Sequence, residues 1–440
     1  MAFQKWQQQP SANSYAAWRL ANNLTKASAK RDKNAHLATQ AKRFDSAMQL
    51  GRTHEAYAMV KSMTGSQAAG AFSGPLLSAD GTVLEDEPAK LARMREHYQR
   101  VLNVPSTAAA GLHRIPTPKT CSSAPRADER PPSLAEVELA LQRLQNHKAP
   151  GLDGIPSELL KGGGAISAAW LQRIIGQVWQ TEQAPQDWKR AIIASLHKKG
   201  DKRSCDNYRG ISLLCAASKV YTHILLSRLK AALEAQLLEH QAGFRTGRGC
   251  TDQIFTIRQL ASMAHDQRTP LHFCYIDLTK AYDSVDRELL WKVLHAYGVP
   301  AKIVRLLTDL HTGTQACVRM YGKLSDWFDI TTGVRQGCVI APLLFNIFLD
   351  CLVRSVLEQC PDLGVQLKYK IDGKLKKLPK EVYSDTTSIP LLMYADDMVL
   401  ICNNPRDLLK FITIFEKVTQ QWGLNISVSK TKMQSIMPQG

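Results

Sequence analysis

Asp396 and Asp397 stand side by side in a stretch whose flanks are apolar, Leu391 to Met393 before and Met398 to Ile401 after. Such a segment otherwise reads as buried strand. Adjacent carboxylates in apolar surroundings repel each other and lose hydration, a cost of several kcal/mol unless a cation offsets it. A divalent metal is the chemistry that answers this need. The same four residues, Tyr394-Ala395-Asp396-Asp397, also suit a tight hairpin turn, since Asp is favoured in turns. Taken alone, they leave the turn and the metal site level. A further carboxylate has to decide.

Asp277 is that candidate, because the β-rich run Leu271-His272-Phe273-Cys274-Tyr275-Ile276 leads into it and a helix is expected to follow. A strand that ends in an acid presents it on a rigid element. Asp277, Asp283 and Asp286 all stand where a helix N-cap is equally expected. The elements around these acids come from apolar stripes at helical spacing. One uses Leu289, Leu290, Val293, Leu294 and Tyr297, the next Leu344, Ile347, Phe348 and Leu352. Another uses Tyr221, Ile224, Leu225 and Leu229, and the last Leu408, Phe411, Phe415, Val418 and Trp422, stopping at Gly423. Ser133 with Glu136 fits a capping box that starts a helix reaching about residue 147.

Across 440 residues, 44% hydrophobic content is ample for a core, and 56 Lys and Arg against 39 Asp and Glu give a net charge of +17. That balance fits a polyanionic partner, nucleic acid first and an anionic membrane surface second. No apolar run approaches the roughly 20 residues that cross a bilayer. The first residues carry Lys5 and Arg19 rather than an apolar signal core, so the chain is expected to stay inside the cell. Ten cysteines, scattered without a Cys-x-x-Cys pair, read as reduced thiols and not as structural zinc. Residues 1–103 read as a basic, mostly helical region with a short hairpin at Asp80-Gly81 and a helix whose face holds Leu91, Met94, Tyr98 and Val101. Residues 104–133, rich in Pro, Ala and Ser, read as a linker, and 134–440 as the main domain.

Asp277-Leu278-Thr279-Lys280-Ala281-Tyr282-Asp283, Gly333-Val334-Arg335-Gln336-Gly337-Cys338 with Pro342-Leu343-Leu344-Phe345, and Tyr394-Ala395-Asp396-Asp397 follow one another along the chain. In these blocks and their order the chain resembles the reverse transcriptases of non-LTR (LINE-type) retrotransposons, whose palm motifs they match. Lys148 to Ile155, Leu196 to Gly200, Asn207 to Leu213 and Gln241 to Arg245 narrow it to the LINE type, over related maturases and telomerase-type enzymes. Cys338 to Pro342 lacks the Ser that relatives often carry before the Pro. The match runs from about 134 to 440 and is tightest from about 180.

The resemblance implies an α+β fold, a right-hand polymerase palm and fingers with an antiparallel palm sheet backed by helices. It implies a DNA primer extended with dNTPs on an RNA template by two Mg²⁺ ions, with Mn²⁺ as a substitute, held by Asp277, Asp396 and Asp397. Tyr282 would exclude a 2′-hydroxyl, while Gln336 and Gly337 would face the nucleotide. Arg209 and one of Lys198 and Lys199 would grip the triphosphate. Phe244 and Arg245 would hold template, and Lys430 would assist the leaving pyrophosphate. The chain ends soon after Lys430, which leads us to expect a missing thumb and weak processivity. A fragment that binds nucleic acid without efficient polymerisation is the alternative. Contact with chromosomal DNA points by family analogy to the nucleus.

Overall fold

The computed structural model describes residues 11–50, 52, 74–105, 114–118, 126–369 and 385–437. The chain divides into two compact units, 1–73 and 74–440. In the first, the described residues form one long helix, α1 (Ala12–Gln49), without an apolar face. Its Ala-rich, basic composition supports a solvated helix.

The second unit opens with the hairpin β1 (Leu76–Leu77) and β2 (Val83–Leu84), then α2 (Glu87–Val101), which Asp86 caps by accepting from Ala89 N–H. α2 buries Met94, Tyr98 and Val101, and Tyr98 Oη donates to Ser195 Oγ at 3.1 Å. The expected domain boundary at residue 103 therefore falls inside one packed body. The described residues of the expected linker are also packed. Trp179 Nε1 donates to Glu129 O at 2.7 Å, and the buried Arg228 donates to Asp128 O and Arg130 O while pairing with Glu136. Buried donors need acceptors, and a Pro-rich segment has carbonyls to offer even where it lacks N–H groups.

Helices α3 (Leu134–Gln142), α4 (Ser157–Gly162), α5 (Gly164–Thr181) and α6 (Gln186–Lys189) follow. The capping box at Ser133 and Glu136 forms as expected, but α3 ends at Gln142, short of residue 147. Strands β3 (Arg190–His197) and β4 (Tyr208–Leu213) lead to α7 (Ala216–Leu233) and α8 (Cys250–Asp266), then β5 (Leu271–Ile276), α9 (Arg287–Ala296) and α10 (Ala301–His311). Three strands, β6 (Thr314–Met320), β7 (Lys323–Leu324) and β8 (Phe328–Ile330), precede α11 (Ala341–Gln359). The chain continues through β9 (Val365–Tyr369), β10 (Asp385–Ile389), β11 (Leu391–Tyr394), β12 (Asp397–Cys402), α12 (Pro405–Gln421) and β13 (Lys432–Ile436).

One sheet runs β11-β12-β5-β13 with every pair antiparallel; another joins β4-β3-β6-β7 with β8 on β6, and only its β3–β6 pair is parallel. Antiparallel sheets with segregated helices make the fold α+β. The first sheet is covered on both faces. Leu391, Met393, Met398, Leu400 and Cys274 join the main core with α11 and α12, while Leu392, Val399, Ile401 and Phe273 meet Leu260 and Ala264 of α8. Period-2 alternation between two apolar cores is why these strands read as unbroken apolar runs.

Candidate active site

The carboxylates meet through register. Met398 pairs with Ile276, so Asp397 lies at the end of β12 beside the point where β5 delivers Asp277. Tyr394 pairs with Asp397, leaving Ala395 and Asp396 as a two-residue hairpin turn with Ala395 at φ +57°. The turn and the acidic site are thus one object. Past Asp277 the chain makes a run of turns, and α9 begins only at Arg287, capped by Asp286 accepting from Leu289 N–H at 2.7 Å. Tyr282 and Asp283 therefore lie in a loop and not on the helix expected there.

Burial pushes the Asp397 carboxyl up, and the negative charges of Asp396 and Asp277 push it further, against Lys198 and Lys430. Lys430 Nζ donates to Asp277 Oδ2 at 2.8 Å. Its loop is tied to the same strand end, with Thr279 N–H donating to Asn425 O and Ser427 N–H to Asp277 O, both at 2.8 Å. Among the described residues no group of three or more His, Cys, Asp and Glu is arranged as a ready metal cage. The donor set nevertheless fits a hard divalent cation, being carboxylate oxygens with an excess of negative charge that an ammonium partly neutralises.

A cleft of about 360 Å³ opens over Asp277 and Asp396, which line it with Lys430, Tyr282, Arg209 and Lys198, while Asp397 does not. Lys199 does not line it. The Tyr282 ring stacks on Phe345, centroids 4.2 Å apart and planes 20° apart. Its hydroxyl is buried without a partner, and burial, with the Asp396 charge second, pushes the phenol up. Arg209 is exposed on β4. Gln336 Nε2 donates to both carboxylate oxygens of Asp283 at 2.9 and 3.0 Å, and burial pushes the Asp283 carboxyl up to about 6 despite that bond. The loop glycines serve contacts within the protein. A Cβ on Gly333 (φ +75°) would lie 2.7 Å from Asp283 O, and one on Gly337 (φ +115°) 2.5 Å from Ser212 O.

Residues 196–437, more than half of the chain, match the family described as reverse transcriptase (RNA-dependent DNA polymerase). The chain belongs to this family. It is 28% identical over 338 residues to the transposon TX1 uncharacterized 149 kDa protein of Xenopus laevis, which covers 76% of this chain and 24% of that protein. A probable RNA-directed DNA polymerase from transposon BS of Drosophila melanogaster is 28% identical over 312 residues, covering 69% of this chain and 32% of that one. The RNA-directed DNA polymerase from mobile element jockey of Drosophila melanogaster is 23% identical over 308 residues, 68% and 31%. The chain spans about a quarter to a third of the length of these relatives.

Three features of this chain depart from the sequence reading. Arg245 is turned inward and 7% exposed; it donates to Glu234 Oε1 at 2.8 Å, to Leu238 O at 2.7 Å, and to Gln241 O and Glu234 O. A guanidinium with its donors committed to protein carbonyls is structural, and the expected template contact at Arg245 is corrected accordingly. Phe244, its neighbour, is 57% exposed. α2 supplies a wall of the cleft through His97 and Tyr98, outside every motif that carried the resemblance. Burial pushes the His97 imidazole down to about 4, against Asp206, so the ring is neutral at physiological pH. Arg287 was likewise unforeseen. It donates to the carbonyls of Gly333, His311, Ile330 and Thr332 and so holds the root of the Gln336 loop. Among the described residues no helix is long and apolar enough to cross a membrane.

Proposed function

We propose that this chain is an RNA-directed DNA polymerase of a non-LTR retrotransposon, extending a DNA primer with dNTPs on an RNA template. The convergence of Asp277, Asp396 and Lys430 in a cleft rimmed by cations, with Asp397 beside Asp277 at the strand end, carries the reading. The four-stranded sheet is then the palm, and the five-stranded sheet belongs to the fingers. Asp277, Asp396 and Asp397 would hold two Mg²⁺ ions, or Mn²⁺. Such ions lower the pKa of an attacking hydroxyl and neutralise charge on a leaving pyrophosphate.

The protein's own side chains supply the rest. Arg209 and Lys198 bind triphosphate oxygens, the guanidinium bidentately. Lys199 is left to the outer surface. Tyr282, backed by Phe345, is a stiff wall against a ribose 2′-hydroxyl. Asp283 orients the Gln336 amide toward the nucleotide, beside the Gly337 backbone. Phe244 offers an exposed ring for a template base to stack on. Lys430, held at Asp277 until substrate arrives, gives positive charge or a proton from Nζ to the departing pyrophosphate oxygen. The test is extension of a DNA primer on an RNA template with Mg²⁺, against an Asp396→Ala/Asp397→Ala variant. Equal extension by both proteins, or none by the unaltered chain, would overturn the reading.

A further inference from the structure

Gln241 is 2% exposed and does not line the cleft, yet all its side-chain bonds go to backbone at or beside the carboxylate turn. Its Oε1 accepts from Ala395 N–H and from Gly243 N–H, both at 2.8 Å, and its Nε2 donates to Ala395 O at 3.2 Å. Met393 N–H donates to His240 O at 2.8 Å and Ala242 N–H to Met393 O at 2.9 Å, so this segment lies parallel to β11 and brings the amide level with the turn. Ala395, at φ +57°, sits in a region that a residue with a Cβ rarely occupies, and such a conformation persists only where the surroundings over-determine it. The amide grips both polar groups of that one residue.

The gripping segment is itself anchored. Asn346 Nδ2 donates to Gly243 O at 2.8 Å, and Asp350 Oδ1 accepts from Leu238 N–H at 2.6 Å while its Oδ2 accepts from Arg354 Nε at 2.7 Å. Arg245 ties Glu234, Leu238 and Gln241 together from within. There is no slack at the contact, because a Cβ on Gly243 would lie 2.3 Å from Ala395 N. A buried network whose members are bonded at both ends rigidifies what it touches.

We infer that Gln241 is a positioning residue for the catalytic carboxylates: its amide fixes Ala395 and thereby sets Asp396 and Asp397 against Asp277 for cation binding. This rests on the reading of those acids as the polymerase site. A second-tier group of this kind is expected to change cation affinity and turnover while leaving dNTP binding alone.

The test compares the full chain with Gln241→Met, which removes every bond of the amide at similar length, and Gln241→Glu, which retains the two accepted bonds. Amide hydrogen exchange of a peptide spanning 391–398 is read without metal. Mn²⁺ binding is read by electron paramagnetic resonance, and primer extension gives kcat and KM. In Gln241→Met, exchange at the turn rises at least tenfold, Mn²⁺ affinity falls at least fivefold, and kcat falls at least tenfold with KM for dNTP within twofold. Gln241→Glu gives a smaller increase in exchange. Unchanged exchange and Mn²⁺ affinity in a folded Gln241→Met protein overturns the inference. If that variant fails to fold, unchanged exchange in Gln241→Glu does so. If the unaltered chain binds no Mn²⁺ at Asp396 and Asp397 and extends no primer, the polymerase reading falls. Faster exchange in the variants would then still establish the grip on the turn, whereas cation positioning would fall with the site.

Discussion

In the function proposed above, Tyr282 would exclude a ribose 2′-hydroxyl with the help of a backing ring. Stacked on Phe345 with centroids 4.2 Å apart, the ring has a neighbour behind it that opposes a tilt away from an added oxygen. Tyr282→Val should lower the preference for dNTP over rNTP by about tenfold or more, roughly 1.4 kcal/mol of differential binding, measured as the ratio of kcat/KM values. An unchanged ratio would remove the ring from the assignment. Asp283 yields a prediction of stability. Its folded carboxyl, near 6 against 3.8 for a free group, binds protons more tightly than in the unfolded chain, so its ionisation destabilises the fold as pH rises from about 4 to about 6. Asp283→Asn keeps an acceptor for Gln336 and should stabilise the protein at pH 7 by on the order of 2–3 kcal/mol, with the gain vanishing near pH 4. Denaturant unfolding of both proteins at several pH values checks this. An equal gain at pH 4 and pH 7 would show that charge is not the cause.

At the scale of elements, the segment 234–245 is judged differently by sequence and by structure. Gln241, Phe244 and Arg245 form one contiguous block, yet Gln241 and Arg245 are interior while Phe244 projects. The resemblance gave Arg245 to the template and Gln241 no role, and nothing local reveals that Glu234, Leu238 O and Ala395 lie in reach of their side chains. The paired strand ends were legible, because the apolar runs around Asp277 and Asp396 could only be strands with both faces covered. How they register was not, since pairing joins residues far apart in the chain. Arg245→Met should cost about 2–4 kcal/mol, the range for a buried charge network losing one partner. It should leave the salt dependence of RNA binding unchanged, because no phosphate contact is lost. Unfolding curves and binding isotherms at several salt concentrations separate these effects. A salt slope shallower by about one ion, with unaltered stability, would return Arg245 to the template.

For the molecule as a whole, the compositional boundary at 103 misled because Pro, Ala and Ser content reports local stiffness and says nothing of the buried donors of Trp179 and Arg228 that recruit the segment's carbonyls. A chain beginning at 74 should unfold cooperatively. One beginning at 104 loses α2 and with it the cleft wall at His97 and Tyr98, and should lose cooperativity by circular dichroism. Equal transitions would show that α2 is dispensable. The meeting of Gly243 with Ala395 has a last consequence, for how such a sequence can drift over generations. A Cβ on Gly243 would strike the backbone of Ala395, at its N and Cα, whatever side chain position 395 carries. Position 243 is thus held to glycine by a stretch of backbone encoded far away in the gene. A lineage that enlarges the side chain at 243 must first rebuild the loop from 240 to 243, so lone variants at that position should be lost.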